Sequence, residues 1–290
     1  MEISILNTTK LKNVPSGSGL VKRDNLYYVI GDDSPYLFTL DTNFSLISKT
    51  LLIDTAPHLN ERIIKSEKPD FESLELISKN EMVAFGSGSK SPERDAFIRI
   101  LLEEDIQIER YQITDFYNHL KTLPLFQDSE LNIEVVAFQD EQLFLFNRKK
   151  NLILTFNYLN LLAYFKGETD FPVHDITEFS LPKIKGIEAG FSGATTLKNQ
   201  SKIIFTASVE DTNNAYDDGE ILGSFIGMIN IKNHKVESVY SYCAIPNTAE
   251  KLKVESVTIE EEISLGKTKV LLISDDDLGN STLIESMLLW

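Results

Sequence analysis

Hydrophobic residues occur along the chain in short aromatic and β-branched runs, and polar turn residues separate these runs. The runs are five to seven residues long, and Gly, Asp, Asn and Ser stand between them. This pattern is typical of short β-strands, whereas an amphipathic helix repeats its apolar positions every three or four residues. The strands predicted in this way are Leu26–Ile30, Tyr36–Leu40, Glu81–Phe85, Ala96–Leu102, Gln142–Phe146, Lys202–Thr206 and Val270–Ser274.

Helical signals are sparse. One short helix is predicted over Asp115–Leu123, with Thr114 or Asp115 as its N-cap and Pro124 directly after it. The most apolar stretch, Asn151–Phe165, is shorter than the roughly 20 apolar residues that span a bilayer, so we interpret it as buried strands. The sequence therefore predicts an all-β protein with at most one short helix.

The strands recur as a unit that starts with a small or acidic residue, continues through an apolar strand and ends in a polar loop. Five copies in 290 residues give a mean of 58 residues, somewhat more than the roughly 40–50 of many propeller repeats. We therefore predict a single-domain β-propeller over residues 1–290, with five blades, or six if Asn151–Leu181 holds a degenerate blade. Glu2–Leu6 is expected to pair with the C-terminal blade and close the ring. The copies begin at Ser16, Phe71, Asn132, Ile187 and Val254.

Four of the five units carry a glutamate at their start, namely Glu72, Glu134, Glu188 and Glu255. Equivalent positions of propeller blades form a ring about the axis, so these carboxylates are predicted to converge at the channel. Crowded carboxylates raise one another's pKa or bind a cation, and an all-oxygen site suits calcium or magnesium better than zinc. The open alternative is that each glutamate caps a strand or bonds backbone amides of the next blade.

Charged loops follow the apolar strands and are expected to share one face of the molecule. Gly86–Asp95 is the most cationic, and it lacks the spacing and the following helix of a nucleotide-binding P-loop, so no nucleotide cofactor is expected. The acidic residues could instead serve as turn residues, and Arg94 could form an ion pair with Asp95 between blades. The predicted ligand-binding residues are Asp32, Asp33, Lys90, Arg94, Asp275 and Asp276, with Asp277 in the same acidic loop.

Composition excludes several functions. The net charge is −16 with no strongly basic run, which argues against binding nucleic acid or an anionic membrane. Cys243 is the one cysteine, so an internal disulfide and a Cys-rich zinc site are excluded. The N-terminus lacks the features of a secretory signal, and a cytoplasmic location is expected. The four histidines, including His58, are dispersed and there is no Gly-x-Ser-x-Gly elbow, so no catalytic residue is predicted.

Several segments resemble an uncharacterised family of bacterial β-propeller proteins related to phytase-like, or esterase-like, propellers. The resemblance extends from about Ser16 to Glu285. In that wider group the pattern is Glu-Gly before a strand that ends in Ser-Asp, whereas here Ser73, Val135, Ala189 and Ser256 replace the glycine. The resemblance implies a propeller fold and a hydrolytic activity. The segments are Gly17–Leu20, Leu26–Tyr36, Gly86–Asp95, Asn132–Glu134, Phe191–Ala194 and Ile273–Asp277.

Two functions remain open at this point. The first is an axial site in which the glutamates hold a divalent cation while Lys90 and Arg94 orient a small anionic ligand, with metal-assisted hydrolysis of a phosphoester, an ester or a lactone as the corresponding activity. The second is a non-catalytic propeller whose loop face binds a protein or a glycan.

Overall fold

The computed structural model describes residues 1–54, 62–211, 219–248, 251–276 and 279–290. Its strands form five four-stranded antiparallel sheets that are arranged as the blades of a β-propeller. The predicted fold class and the predicted five blades are therefore confirmed. No helix in these ranges is long and apolar enough to cross a membrane.

Consecutive strands build each blade. In chain order the strands are β1 (Glu2–Lys10), β2 (Gly17–Arg23), β3 (Leu26–Gly31), β4 (Tyr36–Leu40), β5 (Leu46–Leu51), β6 (Phe71–Ser78), β7 (Glu81–Gly86), β8 (Ala96–Leu102), β9 (Ile106–Gln112), β10 (Ile133–Gln139), β11 (Gln142–Asn147), β12 (Leu152–Asn157), β13 (His174–Glu178), β14 (Lys183–Ile184), β15 (Ile187–Glu188), β16 (Gly190–Leu197), β17 (Lys202–Asp211), β18 (Glu220–Lys232), β19 (Lys235–Ala244), β20 (Lys253–Ser264), β21 (Lys267–Asp275) and β22 (Ser281–Leu289). Blades 1 to 4 contain β2–β5, β6–β9, β10–β13 and β16–β19, and blade 5 contains β20–β22 with β1. Strands β14 and β15 form a separate hairpin.

The innermost strands of the five blades surround the axis. Strand β2 contacts β6, β6 contacts β10, β10 contacts β16, β16 contacts β20, and β20 contacts β2 again. Strand β1 pairs antiparallel with β22, from Glu2 opposite Leu289 to Lys10 opposite Thr282. The predicted pairing of Glu2–Leu6 with the C-terminal blade is thus confirmed, and it supplies the outer strand of blade 5.

Apolar side chains fill the joints between neighbouring blades. Phe38 of blade 1 packs in one cluster with Leu271 of blade 5, and Phe146 of blade 3 meets Phe191 of blade 4 edge-on with ring centroids 5.0 Å apart. A blade buries both of its faces in this way, so its central strands are apolar on both sides instead of alternating. This packing explains the continuous hydrophobic runs of the sequence.

The described part of the chain contains two α-helices, α1 (Thr114–Thr122) and α2 (Tyr158–Phe165). The first confirms the predicted helix, although neither predicted N-cap is used because Ile113 occupies that position without a side-chain hydrogen bond. The second contradicts the limit of one helix. The Asn157 side chain accepts a hydrogen bond from the Asn160 backbone N–H at 3.1 Å, which caps α2 and ends β12.

The Asn151–Leu181 stretch contains β12, α2 and β13, all of which belong to blade 3 or lie on it. A sixth blade at this place is therefore excluded.

Candidate functional site

A β-bulge interrupts each of the five innermost strands at the same position. In every case one residue has no partner on the second strand of its blade, because the pairing skips from the residue before it to the residue after it. Bulges re-aim the side chain of the extra residue, and four of the five bulged residues, all except Ser192, line one cavity at the end of the axial channel. The bulged residues are Ser18, Glu72, Glu134, Ser192 and Glu255.

Three of the four predicted glutamates occupy this bulge, and the fourth does not. Glu188 lies on β15 of the small hairpin, four residues before Ser192, which is the equivalent position of blade 4. Its carboxylate accepts hydrogen bonds from the Leu181 N–H at 2.9 Å and from the Asn151 amide at 3.2 Å. The alignment of Glu188 with the other three is therefore wrong, and its local bonds match the alternative of a carboxylate that holds backbone.

The bulges open into a cavity of about 1180 Å³ at the end of the channel where the innermost strands begin. Eleven acidic and nine basic residues line it, so its formal charge is −2, whereas the whole chain carries −16. We call this cavity the axial mouth. All predicted ligand-binding residues except Asp276 line it, as does Glu188 from one side.

One carboxylate cluster lies where blades 1 and 2 meet at the axial mouth. Asp32, Asp70 and Glu72 each offer one oxygen, and the three oxygens lie within 4.8 Å of one another, so this group could hold a metal ion. The Lys68 ammonium contacts both aspartates, at 2.7 Å for Asp70, and Arg94 contacts Asp70 at 2.7 Å. Glu72 makes no hydrogen bond or ion pair within the described ranges.

The surroundings shift the two acidic groups of blade 2 in opposite directions. Burial, followed by the charges of Asp70, Glu134 and Asp32, raises the pKa of Glu72 well above its usual value. Burial acts in the same direction on Asp70, but Lys68 and Arg94 outweigh it and lower the pKa of that carboxyl. Glu72 is thus the member of the cluster that no cationic side chain contacts within the described ranges.

A second cluster joins blades 3, 4 and 5. The Arg148 guanidinium contacts Glu134 at 3.1 Å and Glu210 at 2.8 Å, and the Lys253 ammonium contacts Glu210 at 3.4 Å and Glu255 at 3.1 Å. The five side chains form a continuous chain of alternating charge. Two of the links, Arg148 to Glu210 and Glu210 to Lys253, cross from one blade to the next, so the cluster also holds blades 3, 4 and 5 together.

The three carboxyls of this second cluster differ in pKa because the neighbouring cationic side chains act on them to different extents. Burial opposes ionisation of Glu210, but Arg148 and Lys253 together lower its pKa to about 2. Burial raises the pKa of Glu255 to about 7, although Lys253 and Arg148 oppose the shift. Burial also raises the pKa of Glu134. Lys253 therefore contacts two carboxyls with different pKa values: Glu210, which is ionised at neutral pH, and Glu255, which titrates near neutral pH.

The sequence of blade 4 makes room for this arrangement at Gly190. A Cβ atom at Gly190 would lie 2.4 Å from Arg148 Cγ, so any larger residue would displace the arginine. The close packing of Arg148 against the backbone therefore explains the glycine at this position.

The other predicted residues have more local partners. Arg94 pairs with Asp70 inside blade 2, and Asp95 accepts a hydrogen bond from the Ser91 hydroxyl at 2.5 Å, so the alternative of an Arg94–Asp95 ion pair between blades is wrong. Asp33 accepts from Arg62 Nε at 2.6 Å, and Lys90 donates to the Ser66 carbonyl at 3.0 Å.

The acidic residues that follow β21 have two different roles, one in the lining of the cavity and one in a turn. Asp275 lines the axial mouth. Asp276 accepts hydrogen bonds from the Asn280 N–H at 2.9 Å and from its side-chain amide at 2.7 Å, as a turn residue does. Asp277 lies outside the described residues, as does His58.

Sequence reasoning did not identify Asp70, Lys68 and Lys253 as members of the site. A signal for two of them exists, because Asp70 and Lys253 both stand two residues before a bulged glutamate. In blade 3 the same position is Asn132, whose amide donates to Glu134 at 2.6 Å. The residue at this offset therefore contacts the bulged glutamate in blades 3 and 5, whereas in blade 2 Asp70 adds a second carboxylate beside Glu72.

The sequence matches a family described as a family of unknown function (DUF6929) over residues 13–288. No curated protein matches it. The fold is similar to that of glutaminyl cyclase from Myxococcus xanthus, with a TM-score of 0.52, 8% identity and coverage of 99% of this chain and 97% of that chain. It is also similar to a variant of the α-L-arabinanase of Cellvibrio cellulosa, with a TM-score of 0.50, 12% identity and coverage of 95% and 92%.

At these identities the two solved structures support the propeller fold alone. The resemblance of the sequence to an uncharacterised propeller family is confirmed at that level. A relation to phytase-like or esterase-like propellers stays a prediction, and the function has to be inferred from the site of this chain.

Proposed function

We propose that this chain, which belongs to the DUF6929 family of unknown function, binds one divalent cation in its axial mouth and a small anionic ligand next to the cation. Asp32, Asp70 and Glu72 hold the cation in this proposal. Oxygen ligands of this kind suit calcium or magnesium.

One observation carries the proposal: three carboxylate oxygens lie within 4.8 Å of one another, and Glu72 contributes one of them without any hydrogen-bond or ion-pair partner in the described ranges. Carboxylates this close repel one another unless a proton or a cation lies between them. Burial is the main cause of the raised pKa of Glu72, and repulsion by the neighbouring carboxylates adds to it. A cation would supply the compensation that this side chain lacks.

The charge of the two clusters also favours a divalent ion. Their six carboxylates face four cationic side chains, so the formal charge is −2 when all groups are ionised. One divalent cation would neutralise this charge without changing the existing ion pairs of blades 3 to 5. The carboxylates are Asp32, Asp70, Glu72, Glu134, Glu210 and Glu255, and the cationic residues are Lys68, Arg94, Arg148 and Lys253.

Lys68 competes with the proposed ion. Its ammonium contacts Asp32 and Asp70, which are two of the three proposed ligands. The cation therefore has to share these carboxylates with Lys68 or displace it. Displacement would lower the affinity by the free energy of the existing contacts, so we expect binding weaker than that of a site with no internal cation.

An anionic ligand fits beside the ion on the side of blade 2. Arg94 uses Nη1 for Asp70 and Ser89, while its Nε and Nη2 have no partner within the described ranges. Lys90 is exposed at the rim of the axial mouth. A phosphate or carboxylate group placed here would meet a guanidinium edge and an ammonium, which are the groups that bind such anions. Hydrolysis of a phosphoester, ester or lactone at this place is the corresponding activity to screen.

The test is calorimetric titration of calcium and magnesium into protein treated with EDTA. We expect Glu72→Gln to weaken cation binding at least about tenfold, because it removes the uncompensated ligand charge. Glu178→Gln is the matched control, since Glu178 also lines the axial mouth but lies on β13, away from the cluster. Absence of cation binding to the native protein, or equal affinities for Glu72→Gln and the native protein, would overturn the proposal.

A further inference from the structure

A second cavity, of about 440 Å³, lies between blade 5 and blade 1. We call it the closure pocket, and its walls include Asn7, Lys22, Tyr27, Phe44, Glu260 and Glu285. Lys22 and Glu260 lie toward the ends of β2 and β20 that are remote from the axial mouth. The closure pocket is therefore a separate site at the joint that closes the ring.

The facing surfaces of blades 5 and 1 change character along their strands. Toward the axial mouth they are apolar, with Leu283 and Leu271 in the core cluster of this joint. Two residues further along the strands, Glu285 and Lys269 take the equivalent places and form an ion pair at 2.7 Å. A joint that only held the ring together would be expected to continue its apolar packing, since protein interiors are close-packed. Here the packing stops and leaves a polar cavity.

The charges of the closure pocket are balanced within it. Lys22 contacts Glu260 at 2.8 Å, as Lys269 contacts Glu285, so two carboxylates meet two ammonium groups. The Tyr27 hydroxyl donates to Glu260 at 2.8 Å. An ionic ligand would therefore have to bring an unbalanced charge into the cavity, whereas a neutral polar ligand would not.

Exposed polar side chains also line the closure pocket. The side chains of Asn25, Thr42 and Asn43 lie on two neighbouring hairpin turns and have no hydrogen-bond partner within the described ranges. Amides and hydroxyls both donate and accept, which matches the hydroxyl groups of a ligand that do the same. The volume is within the roughly 300–1,000 Å³ of small-molecule sites.

An aromatic side chain is held against this polar wall in a backbone conformation that bulky residues avoid. Phe44 has φ 60°, and the Asp41 carboxylate fixes its turn by accepting hydrogen bonds from the N–H groups of Asn43 at 2.8 Å and Ser45 at 2.9 Å. The half-buried ring lies 5.1 Å from the Tyr27 ring, centroid to centroid. The hydrogen bonds of Asp41 hold the turn in this conformation and thereby fix the position of the ring.

From these features we infer that the closure pocket binds a neutral saccharide. Its hydroxyl groups would pair with the amides and hydroxyls of the turns and with the edges of the two ion pairs. The apolar face of the sugar ring would lie on Phe44, whose ring offers apolar area at small entropic cost. This inference does not depend on the proposed cation site, because the two cavities share no residue.

The test is titration of the full chain with a panel of neutral mono- and disaccharides, followed by calorimetry and by saturation-transfer NMR in EDTA and in calcium. At least one neutral saccharide should bind, with the same affinity in both buffers. Phe44→Asn removes the ring but tolerates the backbone conformation, and it should weaken binding at least about tenfold. Asn43→Ala should weaken it about three- to tenfold, as for one lost hydrogen bond.

Asn199→Ala is the matched control, because Asn199 is an exposed asparagine of blade 4 without a hydrogen-bond partner in the described part of the chain. It should bind like the native protein. If no neutral saccharide of the panel binds, if only charged sugars such as glucuronate bind, or if Asn43→Ala and Phe44→Asn bind like the control, the inference is overturned. The melting temperature of each variant shows whether it is folded, and Asn43→Ala decides the matter if Phe44→Asn is not.

Discussion

Glu255 shows how one residue couples the axial mouth to pH. Burial raises its pKa from 4.5 to about 7, although Lys253 and Arg148 oppose the shift. The folded state therefore binds this proton more tightly than the unfolded state does. Its contribution to the free energy of unfolding is complete below pH 4.5, falls as the pH rises from 4.5 to about 7, and stays low above that range.

We predict that Glu255→Gln removes this part of the pH dependence. The free energy of unfolding of the native protein should fall by about 3 kcal/mol more than that of the variant between pH 4.5 and pH 8, since one pKa unit corresponds to about 1.4 kcal/mol. Urea unfolding at a series of pH values measures the difference. Equal pH profiles of variant and native protein would contradict the assigned role, and Glu178→Gln, at an exposed carboxylate, should follow the native profile.

Among the elements, the connection from blade 1 to blade 2 bears most directly on the proposed cation. Its described residues, 62–70, bring Arg62 to Asp33 and Lys68 to Asp32 and Asp70. The buried Ile63 also donates its N–H to the Asp33 carbonyl at 2.7 Å. The connection thus places a protein ammonium where the proposed ion would be bound.

We predict opposite effects of Lys68→Met on stability and on cation affinity. Without the ammonium, Asp32 and Asp70 lose a partner, and the metal-free protein should be destabilised by about 3 kcal/mol. Calcium should bind roughly tenfold more tightly than to the native protein, because it no longer competes with Lys68. Thermal unfolding with and without calcium measures both effects. Lys150→Met is the control at the rim, and weaker calcium binding by Lys68→Met would contradict the competition.

Among the secondary-structure elements, the sequence predicted correctly those strands whose hydrophobic pattern allowed a single interpretation. The strands β4 and β8 were predicted with their observed ends, because turn residues flank both runs. Helix α2 was missed, since a mainly apolar run fits a buried strand and a buried helix equally well. The outcome was decided by Asn157, whose side chain caps the helix.

The candidate site was predictable only in part for a similar reason. The repeat identified Glu72, Glu134 and Glu255, but it could not separate Glu188 from Ser192, because the bulge is defined by pairing with the neighbouring strand. Arg148 follows an apolar strand as Arg94 does, so the sequence places it near the same loops, whereas Lys68 reaches the carboxylates through the connection between blades 1 and 2 and its sequence position carries no sign of it.

The stability of the whole ring depends on the pairing of β1 with β22. We predict that deletion of residues 1–6 lowers the melting temperature of the entire domain and promotes aggregation, because the end of β22 from Ser286 to Leu289 is left with an unpaired edge. Thermal unfolding followed by light scattering measures both effects. A synthetic peptide of residues 1–10 should restore part of the lost stability. An unchanged melting temperature would show that closure of the ring depends on other contacts.

The pairing of β1 with β22 also sets an order of events during protein synthesis. The ribosome makes β1 before its partner, because β1 ends at Lys10 and β22 begins only at Ser281. At about 5–20 residues per second, the first strand waits on the order of 15 to 60 seconds before its partner leaves the ribosome. Blades 1 to 4 contain all their own strands and have the means to form during this interval, whereas blade 5 must assemble last.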